Sequence, residues 1–136
     1  MGKLLLEVVT PEGIKTSQEA DMVVAPGTEG EFGVLPGHIN FLSGIMPGEL
    51  RINNENHTEF MAVNSGFAEV SNDRVSVLVD SAEKAPDIDV ERAQSAMERA
   101  KKRLESDKDS GDLDFVRAES ALKRAVSRLK VVKKAK

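Results

Sequence analysis

The sequence lacks cysteine, tryptophan and tyrosine, and its large aromatic side chains are five phenylalanines. The absence of cysteine excludes disulfide bonds and metal sites with thiolate ligands. Because 40% of the 136 residues are hydrophobic, the chain can still bury a core, which must be mainly aliphatic. This length allows one domain of ordinary size and an appendage.

Long apolar runs are also missing. No stretch approaches the roughly 20 apolar residues of a membrane-spanning helix, and the N-terminal apolar run is too short for a signal peptide. We therefore expect no direct insertion into a membrane, so that any membrane association would depend on a partner.

Catalytic motifs are absent as well. The sequence has no Walker loop, and its two histidines, His38 and His57, lie in turn-like segments without a second histidine or a nearby nucleophile. We expect His57 to be exposed. The sequence therefore predicts no catalytic site and no metal site.

Charge is distributed unevenly along the chain. Residues 1–86 carry five Lys and Arg against thirteen Asp and Glu, whereas residues 113–136 carry eight against two. A basic end can be a solvated helix face, a nucleic-acid surface or a contact for an acidic protein. Nucleic acid is disfavoured, because the chain is acidic overall and no aromatic side chain is interleaved with the cations.

The first 86 residues show short apolar stretches separated by turn signals at intervals of roughly ten residues. In the stretch Arg74–Val79, for example, Val75, Val77 and Val79 share one face. Short alternating stretches of this kind predict an antiparallel β-sandwich or flattened barrel.

After Pro86 the apolar period changes from two to 3.6. One stripe comprises Val90, Ala93, Met97, Ala100 and Leu104, and a second comprises Ala118, Leu122, Ala125, Leu129 and Val132. These stripes predict an antiparallel two-helix hairpin, with Asp87 as the first N-cap and a polar loop near residues 106–111. The predicted domains are therefore a sandwich (1–86) and a hairpin (87–136).

Alanine at alternate seam positions allows close approach of the two helices but buries little apolar area. The hairpin is therefore expected to form without being firmly held. A hairpin that forms without being firmly held is what a movable element requires.

The segment Gly30–His38 has the sequence GEFGVLPGH, which suits a short strand that ends in a tight turn. It resembles the G-E-L-G-x-x-P-G-H signature of the epsilon subunit of the rotary ATP synthase, the equivalent of mitochondrial delta. Phe32 replaces the usual leucine, and Asn40 stands where proline often follows. The resemblance implies that this turn lies against the membrane rotor ring, with Glu31 and His38 as c-ring contacts.

The resemblance extends into the hairpin. Ile88–Ala93 has the I/L-D-x-x-R-A pattern that opens the first C-terminal helix of bacterial epsilon subunits, and Arg117–Leu129 is similar to the second. The resemblance implies a nucleotide site formed by Glu83, Ile88, Asp89, Arg92, Arg124 and Arg128. From the residues alone, Asp89 and Arg92 could equally form an i,i+3 ion pair on a solvated face.

The resemblance to this family implies that the chain is a non-catalytic rotor subunit that contacts the gamma subunit, the c-ring, and the beta and alpha subunits. The hairpin would inhibit ATP hydrolysis by presenting Lys123, Arg124, Arg128 and Lys130 to beta. No cofactor is required, and ATP would act as a regulatory ligand. The expected location is peripheral, on the cytoplasmic face of the bacterial plasma membrane. A free-standing sandwich–hairpin adaptor that binds an unrelated acidic protein is the alternative.

Overall fold

The computed structural model describes residues 2–38, 40–106 and 112–135. Its strands are β1 (Leu4–Thr10), β2 (Gly13–Ala20), β3 (Met22–Gly27), β4 (Gly30–Val34), β5 (Phe41–Ile45), β6 (Gly48–Asn54), β7 (His57–Val63), β8 (Gly66–Ser71), β9 (Arg74–Val79) and β10 (Ala82–Lys84). A 3₁₀ turn at Ala85–Asp87 leads into helices α1 (Val90–Ser106) and α2 (Asp112–Ala135). The predicted β-sandwich followed by two packed helices is confirmed. Most of the predicted loop between the helices, residues 107–111, lies outside the described residues.

The strands form one sheet that folds over itself. Its neighbour order is β10-β7-β6-β3-β5-β8-β9-β1-β2, with β4 paired to β3. Every pair is antiparallel except β1 with β9. Gln18 on β2 donates a hydrogen bond of 3.2 Å to Glu59 on β7, across the gap between distant parts of this order. The sheet is thus a nearly closed, flattened barrel.

The interior of the sandwich is aliphatic, as the composition predicts. Leu4, Leu6 and Val8 alternate inward from β1 and are fully buried. Val75 and Val77, which lie on β9 beside β1, are also fully buried. Because every second residue of a strand points to the same face, the alternation in β9 correctly identifies its core side.

An ion-pair cluster ties the start of β1 to two turns. Lys3 Nζ lies 3.1 Å from Asp21 and 2.5 Å from the Asn54 side-chain oxygen, while Asp21 accepts the backbone N–H of Glu55 at 2.6 Å. That backbone hydrogen bond and the ammonium of Lys3 lower the pKa of Asp21, and the bond to Asp21 raises the pKa of Lys3. The cluster fixes one end of the sandwich.

Helix α1 begins two residues later than the sequence predicts. Pro86 and Asp87 lie in the 3₁₀ turn, and Ile88 is buried with extended dihedral angles. Asp89 therefore occupies the N-cap position, where its Oδ1 accepts the backbone N–H of Arg92 at 3.1 Å. The prediction of Asp87 as the N-cap was wrong, because the chain first buries Ile88 against the sandwich before the helix begins.

The predicted helical seam is largely present. Ala93, Ala100, Ala118 and Ala125 are buried. Val90, however, is exposed. The described helices include none that is long and apolar enough to cross a membrane.

Helix α2 attaches the hairpin to the sandwich by packing on β6 and β7, whereas α1 packs on α2. Val131, which the single-stripe pattern misses, is fully buried in a cluster with Ala62, Ala85 and Ile88. In this structure the hairpin therefore lies folded on the sandwich.

Candidate functional site

A cleft of about 500 Å³ lies where the sandwich meets the two helices. Three walls line it, and each contributes charged side chains. The sandwich contributes Glu12, Lys15, Ser81 and Glu83; the turn and α1 contribute Asp87, Asp89, Arg92 and Arg99; and α2 contributes Arg128. The cleft therefore depends on the folded arrangement of the hairpin.

Arg128 connects α2 to the sandwich wall of the cleft. Its Nε lies 2.5 Å from Oε1 of Glu83 on β10, and each side chain is about one-third exposed. Glu83 is held in place because β10 pairs with β7. Glu83, which the resemblance assigns to the nucleotide set, is thus joined to the second helix by a direct ion pair.

Asp89 and Arg92 are both at the cleft but do not form the i,i+3 ion pair that the sequence allows. The carboxylate of Asp89 accepts the backbone N–H of Arg92 instead. Among the described residues, no carboxylate lies within ion-pair distance of the Arg92 guanidinium. Arg92 is therefore available to an external anion.

Two further cations at the cleft escaped the sequence analysis. Arg99 follows Arg92 by seven residues, which is two helical turns, so both side chains lie on one side of α1. Arg99 also has no carboxylate partner in the described part of the chain. The spacing could have identified Arg99, but nothing in the sequence connects Lys15 with a helix more than seventy residues away.

Two residues of the predicted nucleotide set lie outside this cleft. Arg124 borders a small adjoining recess of about 10 Å³, which it shares with Ser127, Glu83 and Arg128. Ile88 lies in the apolar cluster with Val131. The structure thus brings together Glu83, Asp89, Arg92 and Arg128, places Arg124 beside them and uses Ile88 for packing.

The remaining cations of α2 are nearer the solvent. Lys123 is exposed and forms an i,i+4 ion pair of 3.7 Å with Glu119, and Lys130 is exposed. Lys134 Nζ lies 2.9 Å from Oε2 of Glu49 on β6. Arg128 and Lys134 therefore both contact sandwich carboxylates, while Lys123 and Lys130 face outward.

Glu31 and His38 both lie near Phe41. Glu31 is exposed on β4 and lines a recess with Phe41, while the His38 ring is 6.1 Å from the Phe41 ring in an edge-on arrangement. Between them Gly37 adopts a φ of 83°, and its N–H donates to Asp73 Oδ1 at 2.7 Å. The turn is therefore fixed to the β8–β9 turn and leaves Leu35 exposed.

An exposed apolar row crosses the outer face of four strands. Phe67 on β8 pairs with Leu78 on β9, Leu78 with Val9 on β1, and Val9 with Ile14 on β2. Phe67, Leu78 and Ile14 are 51%, 40% and 62% exposed. A contiguous exposed row of this kind is typical of a protein contact surface.

Comparison with known proteins addresses both parts of the chain. Residues 3–85 match the family model of the ATP synthase delta/epsilon chain β-sandwich domain, and residues 87–133 match the long α-helix domain of the same family. The chain belongs to the ATP synthase delta/epsilon chain family. The resemblance to epsilon subunits seen in Gly30–His38 and Ile88–Ala93 is thereby confirmed.

Relatives named ATP synthase epsilon chain are about half identical to this member of the family. The protein from Nitratidesulfovibrio vulgaris is 52% identical over 101 residues, which cover 74% of this chain and 75% of that protein. The protein from Desulfosudis oleivorans is 53% identical over 102 residues, which cover 74% and 77%.

Solved structures share the fold. A chain of the Euglena gracilis mitochondrial ATP synthase, in a structure of OSCP, F1 and the c-ring, superimposes with a TM-score of 0.81 at 21% identity, covering 99% of this chain and 82% of that chain. A chain of the Tetrahymena thermophila mitochondrial ATP synthase central stalk and c-ring gives 0.57 at 16% identity, covering 98% and 96%.

Proposed function

We propose that this chain is a non-catalytic rotor subunit in the central stalk of a proton-translocating ATP synthase, where it couples rotation of the c-ring to the catalytic head. Family membership over both domains supports this assignment. The observation that carries it is a sandwich with two exposed surfaces suited to protein contacts, on which a helical hairpin packs through α2. The complex would hold the chain peripherally at the cytoplasmic face of a bacterial plasma membrane.

The apolar row of Phe67, Leu78, Val9 and Ile14 is the proposed contact for the gamma subunit. The row is continuous across four strands. A partner that covers this exposed apolar surface removes it from water, which favours association. The turn near Phe41 that Glu31 and His38 flank is the proposed contact for the c-ring. Cysteines at positions 31 and 38 should cross-link to c-subunit loops; cross-links to beta alone would contradict this contact.

The hairpin is the proposed inhibitor of ATP hydrolysis. Extended into the catalytic head, α2 would present Lys123, Arg124, Arg128 and Lys130 to acidic loops of beta, close to alpha. In the folded arrangement Arg128 is paired with Glu83, and Lys134 with Glu49. The sandwich carboxylates therefore compete with those of beta for the same helix, which makes inhibition a shift between two populations.

ATP is the proposed regulatory ligand of the cleft. Arg92 and Arg99 line the cleft of about 500 Å³, and neither guanidinium group has a carboxylate partner among the described residues. Guanidinium groups are forked donors that suit phosphate oxygens. A ligand selective for the folded state stabilises it by about 2.7 kcal/mol at a hundredfold excess over its Kd. High ATP would then favour the folded hairpin and relieve inhibition.

Reconstitution of the complex tests the assignment. Deletion of residues 87–136 should leave assembly and ATP synthesis largely intact and raise ATP hydrolysis, because the sandwich carries the proposed gamma and c-ring contacts. Failure of the truncated complex to assemble would contradict this division of roles. Co-purification of the full chain with alpha, beta and gamma separates a rotor subunit from an adaptor for an unrelated acidic protein.

A second test concerns the two roles of the arginines. Arg124→Ala should weaken both ATP binding, measured by calorimetry on the isolated chain, and inhibition, measured in the reconstituted complex. Asp89→Ala should weaken ATP binding alone, since Asp89 is not among the proposed beta contacts. Equal effects of the two substitutions on inhibition would contradict the assignment of Arg124, but not Asp89, to the contact with beta.

A further inference from the structure

Lys15 is the cation that the sandwich contributes to the described lining of the cleft. The other cations there, Arg92, Arg99 and Arg128, all belong to the hairpin. The remaining charges on the sandwich wall are the carboxylates of Glu12 and Glu83. Without Lys15, all the charged side chains on the sandwich wall of the described cleft would be carboxylates, which repel a polyanion.

The present partner of Lys15 is a weak one. Its Nζ lies 3.5 Å from Oε2 of Glu12, whose side chain is 77% exposed, and Lys15 itself is 32% exposed. An exposed ion pair of this kind contributes little to stability, typically about 0.2–1 kcal/mol. Lys3, by contrast, contacts Asp21, Asn54 and Glu55 together. Lys15 can therefore exchange its partner for a ligand at small cost.

We propose that Lys15 is a phosphate ligand of the cleft, so that an organic polyphosphate bound there joins the sandwich to both helices. This inference rests on the proposed ATP function and explains how the ligand would distinguish the two arrangements of the hairpin. A ligand held by Arg92, Arg99 and Arg128 alone would favour the hairpin wherever it lay. A ligand that also binds Lys15 favours the folded state, because Lys15 leaves the site when the hairpin detaches.

The partner carboxylate Glu12 has the opposite role. It lines the same cleft and neutralises Lys15, so it should oppose a bound phosphate both by repulsion and by competition for the ammonium. Glu12→Gln should therefore tighten binding of the ligand. A gain of affinity is useful as a test, because a folding defect would not produce it.

The experiment measures binding of ATP, ADP and AMP to the full chain by calorimetry. Lys15→Ala should weaken ATP binding roughly tenfold, the loss expected for one hydrogen bond to a charged group, and the loss should diminish from ATP to AMP. Lys15→Arg should retain most of the affinity. Lys101→Ala, which removes an exposed lysine of α1 outside the described cleft lining, is the matched control and should leave binding unchanged.

Hydrogen exchange supplies the second readout. In the parent protein, saturating ATP should slow exchange in both α1 and α2; in Lys15→Ala it should slow exchange in α1 while protecting α2 less. Equal affinity of the parent protein and Lys15→Ala for ATP, or weaker binding by Glu12→Gln, would overturn the role of Lys15 and leave ATP binding intact. No binding of ATP to the parent protein at millimolar concentration would overturn the ATP function itself, and the role of Lys15 with it.

Discussion

Lys134 on the last turn of α2 contacts Glu49 at the start of β6, with 2.9 Å between Nζ and Oε2. The side chain of Glu49 is only 15% exposed, whereas that of Lys134 is 54% exposed, so water reaches this pair mainly from the lysine side. Together with Arg128 and Glu83, it attaches α2 to the sandwich at two separate strands, β6 and β10. Val131, which joins the apolar cluster with Ala62, Ala85 and Ile88, lies on the same helix between Arg128 and Lys134.

Removing the Glu49 carboxylate should loosen the end of α2. Glu49→Gln is expected to increase hydrogen exchange in the last turns of α2 by roughly twofold to fivefold, in line with the modest energy of a partly exposed pair. Glu119→Gln is the control, because it removes an ion pair within α2 that does not reach the sandwich. Unchanged exchange near Lys134 would mean that the pair does not hold the helix.

Truncating Val131 should weaken docking of the hairpin without unfolding the sandwich. Val131→Ala removes two methyl groups from a fully buried position and is expected to cost about 1–3 kcal/mol of docking free energy. Limited proteolysis of α2 measures this loss, and thermal unfolding followed by strand signals should change little. Val116→Ala, on an exposed part of the same helix, should have almost no effect.

The ion-pair cluster at Asp21 predicts a defined pH dependence. Because the pKa of Asp21 is lowered from 3.8, the carboxylate stabilises the fold above its ordinary pKa, and the contribution disappears as the pH falls through the lowered value. Because the bond to Asp21 raises the pKa of Lys3 from 10.5, the contribution of the ammonium is lost only as the pH rises above that value, through the raised pKa. Asp21→Asn should thus lower the melting temperature at neutral pH, and the difference from the parent protein should shrink below pH 3.8.

A parallel measurement on Asp80→Asn serves as the control. Asp80 is exposed and has no ion pair among the described residues, so its substitution should leave the melting temperature at neutral pH almost unchanged. A constant difference between Asp21→Asn and the parent protein down to strongly acidic pH would show that the ionised carboxylate is not what stabilises this end of the sandwich.

The apolar row should decide binding to gamma. Phe67→Ser removes the largest side chain of the row and is expected to weaken binding of the isolated chain to gamma roughly tenfold or more, since buried aromatic residues often dominate interfaces. Surface plasmon resonance with immobilised gamma measures this change. Glu69→Gln, two residues along the same face of β8, should alter binding far less; equal effects would place the contact elsewhere.

The sequence predicted the strands in which apolar residues recur at every second position. It missed the strands that are defined mainly by their pairing with neighbouring strands. β9 was predictable because Val75, Val77 and Val79 recur at every second position and so share one face. β2 was not predictable, because Thr16 and Ala20 are its buried residues and its place depends on pairing with β1. Strand β10 is three residues long and is defined by its pairing with β7.

The residues of the candidate site were likewise predicted only in part. The resemblance identified Glu83, Asp89, Arg92 and Arg128, which the structure gathers around one cleft. Lys15 could not be predicted, since its proximity to α1 arises from the fold of the sheet and the docking of α2. Val131 was missed because a single stripe was assumed for α2, whereas this helix packs against both α1 and the sandwich.

Helix α2 follows α1 in the chain, yet it is the helix that rests on the sandwich, while α1 packs on α2. The helix that is synthesised second is therefore the one that must dock on the sandwich first. A growing chain can complete the sandwich and α1 on the ribosome, but the cleft gains its third wall only when Arg128 emerges. Proteolytic trimming that removed Val131 and Lys134 would have the same consequence as incomplete synthesis, because an intact sandwich would then carry helices that it can no longer retain.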